Sequence, residues 1–201
     1  CLNCKNPRCL QGCPVNINIP AFIHEIKEGN LEKAGEVIRE SSLLPSVCGR
    51  VCPQERQCEG KCVLGIKSEP VSIGALERYV GDSTTLKVGE IKETGKKVAI
   101  IGSGCAGITA AADLRRAGHE VVVFEALHKL GGVLRYGIPP FRLPRKFLDK
   151  EISNLKAMGV KFVTNVVVGK SITIQQLKDD GFDAIVIGSG AGLPKMMGIK
   201  G

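Results

Sequence analysis

The chain contains no tryptophan, and aromatic residues make up only 4% of it. That scarcity argues against the stacking platforms that hold single-stranded nucleic acid. The net charge is +8 over 201 residues, but the lysines and arginines are scattered, with only short pairs at Lys96-Lys97 and Arg115-Arg116. A solvated surface accounts for them, and no nucleic-acid partner is expected. No apolar run approaches the roughly 20 residues that cross a bilayer, so no membrane association is expected either. The chain starts at Cys1 rather than Met and lacks a charged-then-apolar leader, which reads as a trimmed or disordered start from which no targeting is expected to be legible.

What the chain does have is cysteine and glycine, nine of the first and 25 of the second. All cysteines but Cys105 precede residue 63, in a part with few strand-like runs. Three helices are expected there: Ala21–Glu28, opened by Pro20 and ended by Gly29; Leu31–Glu40, capped by Asn30; and one from Ser72 to about Val80. They should form an apolar wall around the cysteines. From about Lys96 the pattern changes to apolar strands, glycine turns and helical stretches, the mark of an α/β layer. The polar stretch between reads as a connector.

The cysteines fall into Cys1-x2-Cys4-x4-Cys9-x3-Cys13-Pro14 and Cys48-x3-Cys52-x5-Cys58-x3-Cys62. Disulfides belong to oxidising compartments and small secreted scaffolds, whereas this chain runs on into a nucleotide-binding unit, which favours a reducing, cytoplasmic setting. Zinc knuckles need paired Cys-x2-Cys spacing, and only Cys1/Cys4 has it. Iron–sulfur binding fits better. Closely spaced cysteines followed by one before proline are the pattern of a four-iron run in which the last cysteine serves another cluster. On that reading Cys1, Cys4 and Cys9 go to one cluster and Cys13 to a second.

Val98-Ala99-Ile100-Ile101 leads into Gly102-Ser103-Gly104-Cys105-Ala106-Gly107 and a helical stretch that ends at Gly118. A second apolar run, Val121–Phe124, stops at Glu125. Strand, glycine loop, helix, strand and acid in this order indicate a dinucleotide site. Gly102 would make the tight turn, Gly104 would admit the pyrophosphate, and Gly107 would let helix and strand pack. Glu125 would accept from an adenosine ribose and disfavour a 2′-phosphate. The stretch from His128 to Pro139, with Gly131-Gly132, reads as an irregular proline-bearing loop, and family resemblance as well as spacing implies that it could wrap a flavin dinucleotide. Cys105 is expected to pack in the pocket wall, His24, His119 and His128 to lie on the surface, and Met196-Met197 to fill a turn.

Together these residues resemble the small (beta) subunit family of glutamate synthase, which includes the flavin subunit of NADH-dependent ferredoxin:NADP oxidoreductase and the N-terminal half of dihydropyrimidine dehydrogenase. The resemblance also rests on Cys48–Pro53, Ile73–Arg78, Gly137–Pro144 and Gly181–Gly192. It implies an α+β chain: a helical iron–sulfur domain at 1–81, a linker at 82–96 and an incomplete Rossmann-like FAD-binding domain at 97–201. It further implies two [4Fe-4S] clusters, one on Cys1, Cys4, Cys9 and Cys62. The other would use Cys13, Cys52 and Cys58 with Glu77 as a non-cysteine ligand, Cys48 being a spare or Glu77's rival. FAD contacts would come from Gly102, Gly104, Ala106, Gly107, Glu125, Gly132, Leu134, Gly188 and Gly190.

No acid–base residue or nucleophile is expected. In such enzymes NADPH or NADH binds an inserted domain after the Gly188–Gly192 turn. Pro194 follows here without a further helix or ribose acid, so that site is expected to be missing from this chain. The implied activity is electron transfer from NAD(P)H through FAD to the clusters and on to a glutamate synthase large subunit or another electron-accepting protein. The alternative is a non-catalytic metal-binding adaptor whose flavin fold is vestigial.

Overall fold

A computed structural model of the chain describes residues 1–191 and 198–199. In chain order the helices are α1 (Arg8–Gln11), α2 (Ile19–Lys27), α3 (Leu31–Arg39), α4 (Pro45–Val51), α5 (Ile73–Ser83), α6 (Cys105–Arg116), α7 (Val133–Tyr136), α8 (Arg145–Ala157) and α9 (Ile174–Asp179). The strands are β1 (Lys97–Ile101), β2 (Glu120–Phe124), β3 (Lys161–Val163) and β4 (Ala184–Ile187). Short 3-10 turns link α4 to α5. They form two compact units, Cys1–Glu90 with Ile138–Met158 and Ile91–Gly137 with Gly159–Gly201.

The first unit is helical. Asn18 starts α2, its side-chain oxygen accepting from the Ala21 amide at 3.3 Å. Pro20 lies in the first turn, where its missing N–H leaves no partner wanting. Gly29, at φ +79°, turns the chain out of that helix. The expected caps of the next two helices stand in the right places but do other work. Asn30 donates to Glu25 at 3.2 Å rather than capping α3, and Ser72 makes no side-chain cap on α5. The short helix α4 was not expected. Its sequence, Pro-Ser-Val-Cys-Gly-Arg-Val, carries no apolar stripe, and packing against α5 supplies what propensity does not. The two helices touch backbone to backbone: a Cβ on Gly49 would lie 2.5 Å from the Arg78 amide, and one on Gly81 2.5 Å from that of Ser46. Phe22, Ile38 and Val80 are fully buried in this unit's core, with Cys58 in it and Cys9 and Cys13 packed against it.

The second unit holds a four-stranded parallel sheet of order β3-β2-β1-β4. β1 and β2 are almost wholly buried apolar runs, as strands of parallel sheets are. The order corresponds to the first four strands of the doubly wound dinucleotide fold. Ala99, Val122, Phe124, Leu177 and Phe182 form a core on this sheet.

The boundaries differ from those drawn on the sequence. α5 runs two residues into the stretch read as a linker, to Ser83, and Thr94 donates to the Gly118 carbonyl at 2.9 Å, tying that stretch's far end to the second unit. Ile138–Met158, placed by sequence in the flavin domain, groups with the first unit. Gly192, Pro194, Met196 and Met197 lie outside the described residues. Among those described, no helix is long and apolar enough to cross a membrane.

Candidate iron–sulfur and dinucleotide sites

All nine cysteines are free thiols. A cavity in the first unit is lined by Cys1, Cys4, Cys9 and Cys62 against Ile19, Ile23, Val71 and Ile73. Cys1 and Cys4 reach it from the N-terminal segment, Cys9 from α1, and Cys62 from the junction of two 3-10 turns. These are the four cysteines that the resemblance assigns to one cluster. Burial pushes the Cys9 thiol up, and the neighbouring Cys62 and Cys4 sulfurs add to the effect.

The remaining ligand candidates also converge. Cys58 is buried, and its thiol is pushed up to about 12, first by desolvation and then by the nearby Glu77 and Cys13. Cys52, at the end of α4, is held below its ordinary value by a hydrogen bond with Cys48, while burial, Glu77, Cys58 and Cys13 oppose that. Cys48 is pushed up by the same bond and then by burial, and Ser42 Oγ lies 3.8 Å from its sulfur. The cysteine read as spare is thus engaged beside a candidate ligand.

Glu77, on α5, is buried and its Oε1 has no hydrogen-bond partner. Burial holds its carboxyl well above the usual carboxylate range, with Cys48 adding. An unpartnered buried carboxylate is costly unless a positive centre answers it. Three thiols and one such oxygen fit a cluster with a single non-cysteine ligand. Among the described residues, no three His, Cys, Asp or Glu side chains are grouped closely enough for one metal ion.

In the second unit, β1 ends at the glycine loop. Gly102 has φ +99°, and its Cβ would meet the Gly188 carbonyl at 2.4 Å. A Cβ on Gly107 would lie 1.9 Å from the Gly102 oxygen, so the expected close packing holds. At Gly104, the N-cap of α6, a Cβ would meet nothing within 4 Å, as a backbone left bare for a ligand requires. Ala106 follows in the first turn of α6, where the leading amides have no carbonyl partner within the helix. Gly188 bonds through its amide to the Ile101 carbonyl at 2.8 Å, and Gly190 turns at φ +76°.

Glu125 does more than the sequence suggested. Its Oε2 accepts from the Ser103 amide at 2.9 Å and from the Ser103 hydroxyl, and its Oε1 accepts from the Leu127 amide at 2.9 Å. With three bonds already made, about one of its four acceptor positions is left for a ribose. Ser103 Oγ also accepts from the Gly131 amide at 2.9 Å. Sequence reasoning missed Ser103, because a small residue between two loop glycines carries no signal of its own.

The loop after Glu125 is less irregular than expected. Gly132, at φ +49°, begins α7, and its Cβ would come 2.9 Å from the Gly104 Cα, so the two glycines abut. Leu134 is buried. Cys105, expected to pack, is exposed. His119 Nδ1 lies 2.7 Å from Thr94 Oγ1, and His128 stacks edge-on with Tyr136.

Residues 1–88 match the model for dihydropyrimidine dehydrogenase domain II, 4Fe-4S cluster, and residues 100–146 match that for an NAD(P)-binding Rossmann-like domain. The glutamate synthase [NADPH] small chain of Escherichia coli K12 is 40% identical over 94% of this chain and 41% of its own. The chain is a homologue of that small chain. The NAD-dependent dihydropyrimidine dehydrogenase subunit PreT of the same organism is 40% identical over 96% of this chain and 49% of its own. The glutamate synthase [NADH] of Saccharomyces cerevisiae is 39% identical over the whole chain but only 10% of its own length. The chain thus spans half or less of the relatives it matches, and these homologues are oxidoreductases.

Proposed function

We propose that this chain is the cluster- and flavin-binding part of an electron-transferring oxidoreductase of the glutamate synthase small-subunit type. The observation that carries the reading is the convergence of eight ligand candidates into two groups, one of them completed by a buried carboxylate oxygen that no described residue satisfies. In the whole protein, bound FAD would supply hydride chemistry toward NADPH or NADH, and two [4Fe-4S] clusters would supply one-electron transfer toward the partner. That chemistry belongs to the cofactors. The chain's own residues hold and insulate them.

Cys1, Cys4, Cys9 and Cys62 would hold one cluster within apolar walls, and Cys13, Cys52, Cys58 and Glu77 the other. Gly102, Gly104, Ala106 and Gly107 would receive the pyrophosphate of FAD, while Glu125, held by Ser103, would offer its remaining acceptor position to the ribose. Gly132, Leu134, Gly188 and Gly190 would shape the backbone around it. The partner would be a glutamate synthase large subunit or another electron-accepting protein. A cytoplasmic setting suits cysteines that form no disulfides.

The test is an absorption spectrum of anaerobically purified protein, with iron, zinc, acid-labile sulfide and flavin assayed on the same sample. The expected result is about eight irons per chain, from two four-iron clusters, and a visible absorbance that dithionite bleaches. Zinc without flavin would instead favour a metal-bearing adaptor with a vestigial flavin fold.

A further inference from the structure

Helix α8 follows the flavin-loop residues in sequence, yet its side chains grip α4 and α5, which place two of the second set of ligand candidates, Cys52 at the end of α4 and Glu77 on α5. The Phe147 ring lies under the Arg50 guanidinium, 3.6 Å from its centroid. Lys150 Nζ donates to the carbonyls of Gly81, Asp82 and Thr84 at 3.0, 3.0 and 2.7 Å. Those carbonyls end α5, where a cation answers the helix dipole, and the Thr84 carbonyl also accepts from Arg39 at 3.2 Å. Arg50 stands on α4 between Cys48 and Cys52. Its two terminal nitrogens donate to the two oxygens of Asp82 at 2.7 and 2.6 Å, and one of them also to the Ser46 carbonyl at 2.8 Å. Only 3% of the Arg50 side chain is exposed. Asp82 lies beyond Glu77 on α5.

We propose that Arg50, with Asp82 and Phe147, is a positioning clamp for the second cluster. It would set the register of α4 against α5 so that Cys52 and Glu77 face the same irons. This inference rests on the iron–sulfur reading above. Close backbone contact at Gly49 and Gly81 sets how near the helices lie, while apolar packing, being non-directional, does not fix the angle at which their ends meet. A two-pronged arginine–carboxylate pair fixes both distance and angle, and the Phe147 ring against the guanidinium carbon limits its movement. Lysine keeps the charge and loses the fork, so Arg50→Lys is not a conservative change here. The ligand candidates for the first cluster lie on neither α4 nor α5, and only Ile73, at the far end of α5 from Asp82, lines their cavity, so the clamp should act chiefly on the second cluster.

The test compares the full chain, reconstituted anaerobically, with its Arg50→Lys and Phe147→Leu variants. Iron per chain, the electron paramagnetic resonance of the dithionite-reduced protein, cluster reduction potentials and the melting temperature are measured. For Arg50→Lys the expected result is a fall from about eight to about four irons per chain, or full iron with the signal and potential of one cluster altered and the other unchanged. Phe147→Leu should keep its iron and shift the same cluster's signal by less. Wild-type signals and potentials in Arg50→Lys would overturn the clamp. So would equal loss of both clusters with a lower melting temperature, since that marks a general folding role. A wild-type chain that takes up no iron would overturn the iron–sulfur reading, and the clamp with it.

Discussion

Ser103 and Glu125 are joined twice, the amide and the hydroxyl of the serine both donating to one oxygen of the carboxylate. The hydroxyl passes the link on by accepting from the Gly131 amide at 2.9 Å. The acid that would meet a ribose is therefore oriented before any ligand arrives, and the glycine loop and the stretch before α7 are stitched to it.

Ser103→Ala should expose the value of that link. It leaves the Gly131 amide without its acceptor and takes one donor from Glu125. An orphaned buried donor costs about 1–3 kcal/mol, which for a chain of this size lowers the melting temperature by about 2–4 °C per kcal/mol. Calorimetry of the variant checks this, and flavin retention on gel filtration should fall in parallel. Unchanged melting and retention would mean that the Ser103–Glu125 link carries no weight.

Alanine at two loop glycines separates folding from binding. Gly107→Ala sets a Cβ 1.9 Å from a backbone oxygen that cannot yield, so the second unit should be strongly destabilised. Gly104→Ala meets nothing within 4 Å. It should melt like wild type yet hold flavin dinucleotide more weakly, because the new methyl stands where the pyrophosphate would approach. Titration with FAD and thermal melts distinguish the two variants.

The fourth ligand of the second cluster can be decided by iron content. Glu77 Oε1 has no partner, whereas the Cys48 sulfur is engaged by Ser42 and Cys52. Glu77→Ala should lower iron from about eight to about four per chain, and Cys48→Ser should leave it near eight. The reverse pattern would make Cys48 the ligand.

Glu151, on α8, supplies a pH signature. Its carboxyl is held above the ordinary carboxylate range by burial, which outweighs the pull of Arg39, Asn154 and Lys150. The fold thus binds this proton more tightly than the unfolded chain does. The associated stability is complete below the unfolded value of about 4.5 and is lost as pH rises through the folded one. Glu151→Gln, neutral at every pH, should be more stable than wild type at neutral pH, and the gap should close on acidification below about 4.5. Denaturant melts across that range measure it, and a gap that does not change with pH would refute it.

Much of the site was legible because its signals are local. Gly29 and Gly118 end their helices as expected, since the left-handed turn they make, at φ +79° and +91°, is decided within a few residues. β1 and β2 could be read from their apolar runs for the same reason. α4 could not, because its helicity depends on α5, which enters the chain more than twenty residues later. Asn30 and Ser72 looked like caps by position, and the side-chain partner that each takes or lacks depends on neighbours that spacing does not name.

The sequence by itself determined the two-part plan, the spacing of the cysteines, and a glycine loop open at Gly104 and closed at Gly107. Each is a property of adjacent residues and their steric limits. Only the tertiary structure decided that α8 belongs with the helical unit, that Arg50 is paired with Asp82 over Phe147, that Glu77 is buried with a bare oxygen, and that Glu125 is already held. Burial and pairing depend on groups remote in the chain, and a carboxylate's meaning changes with whether an amide, a guanidinium or nothing lies against it.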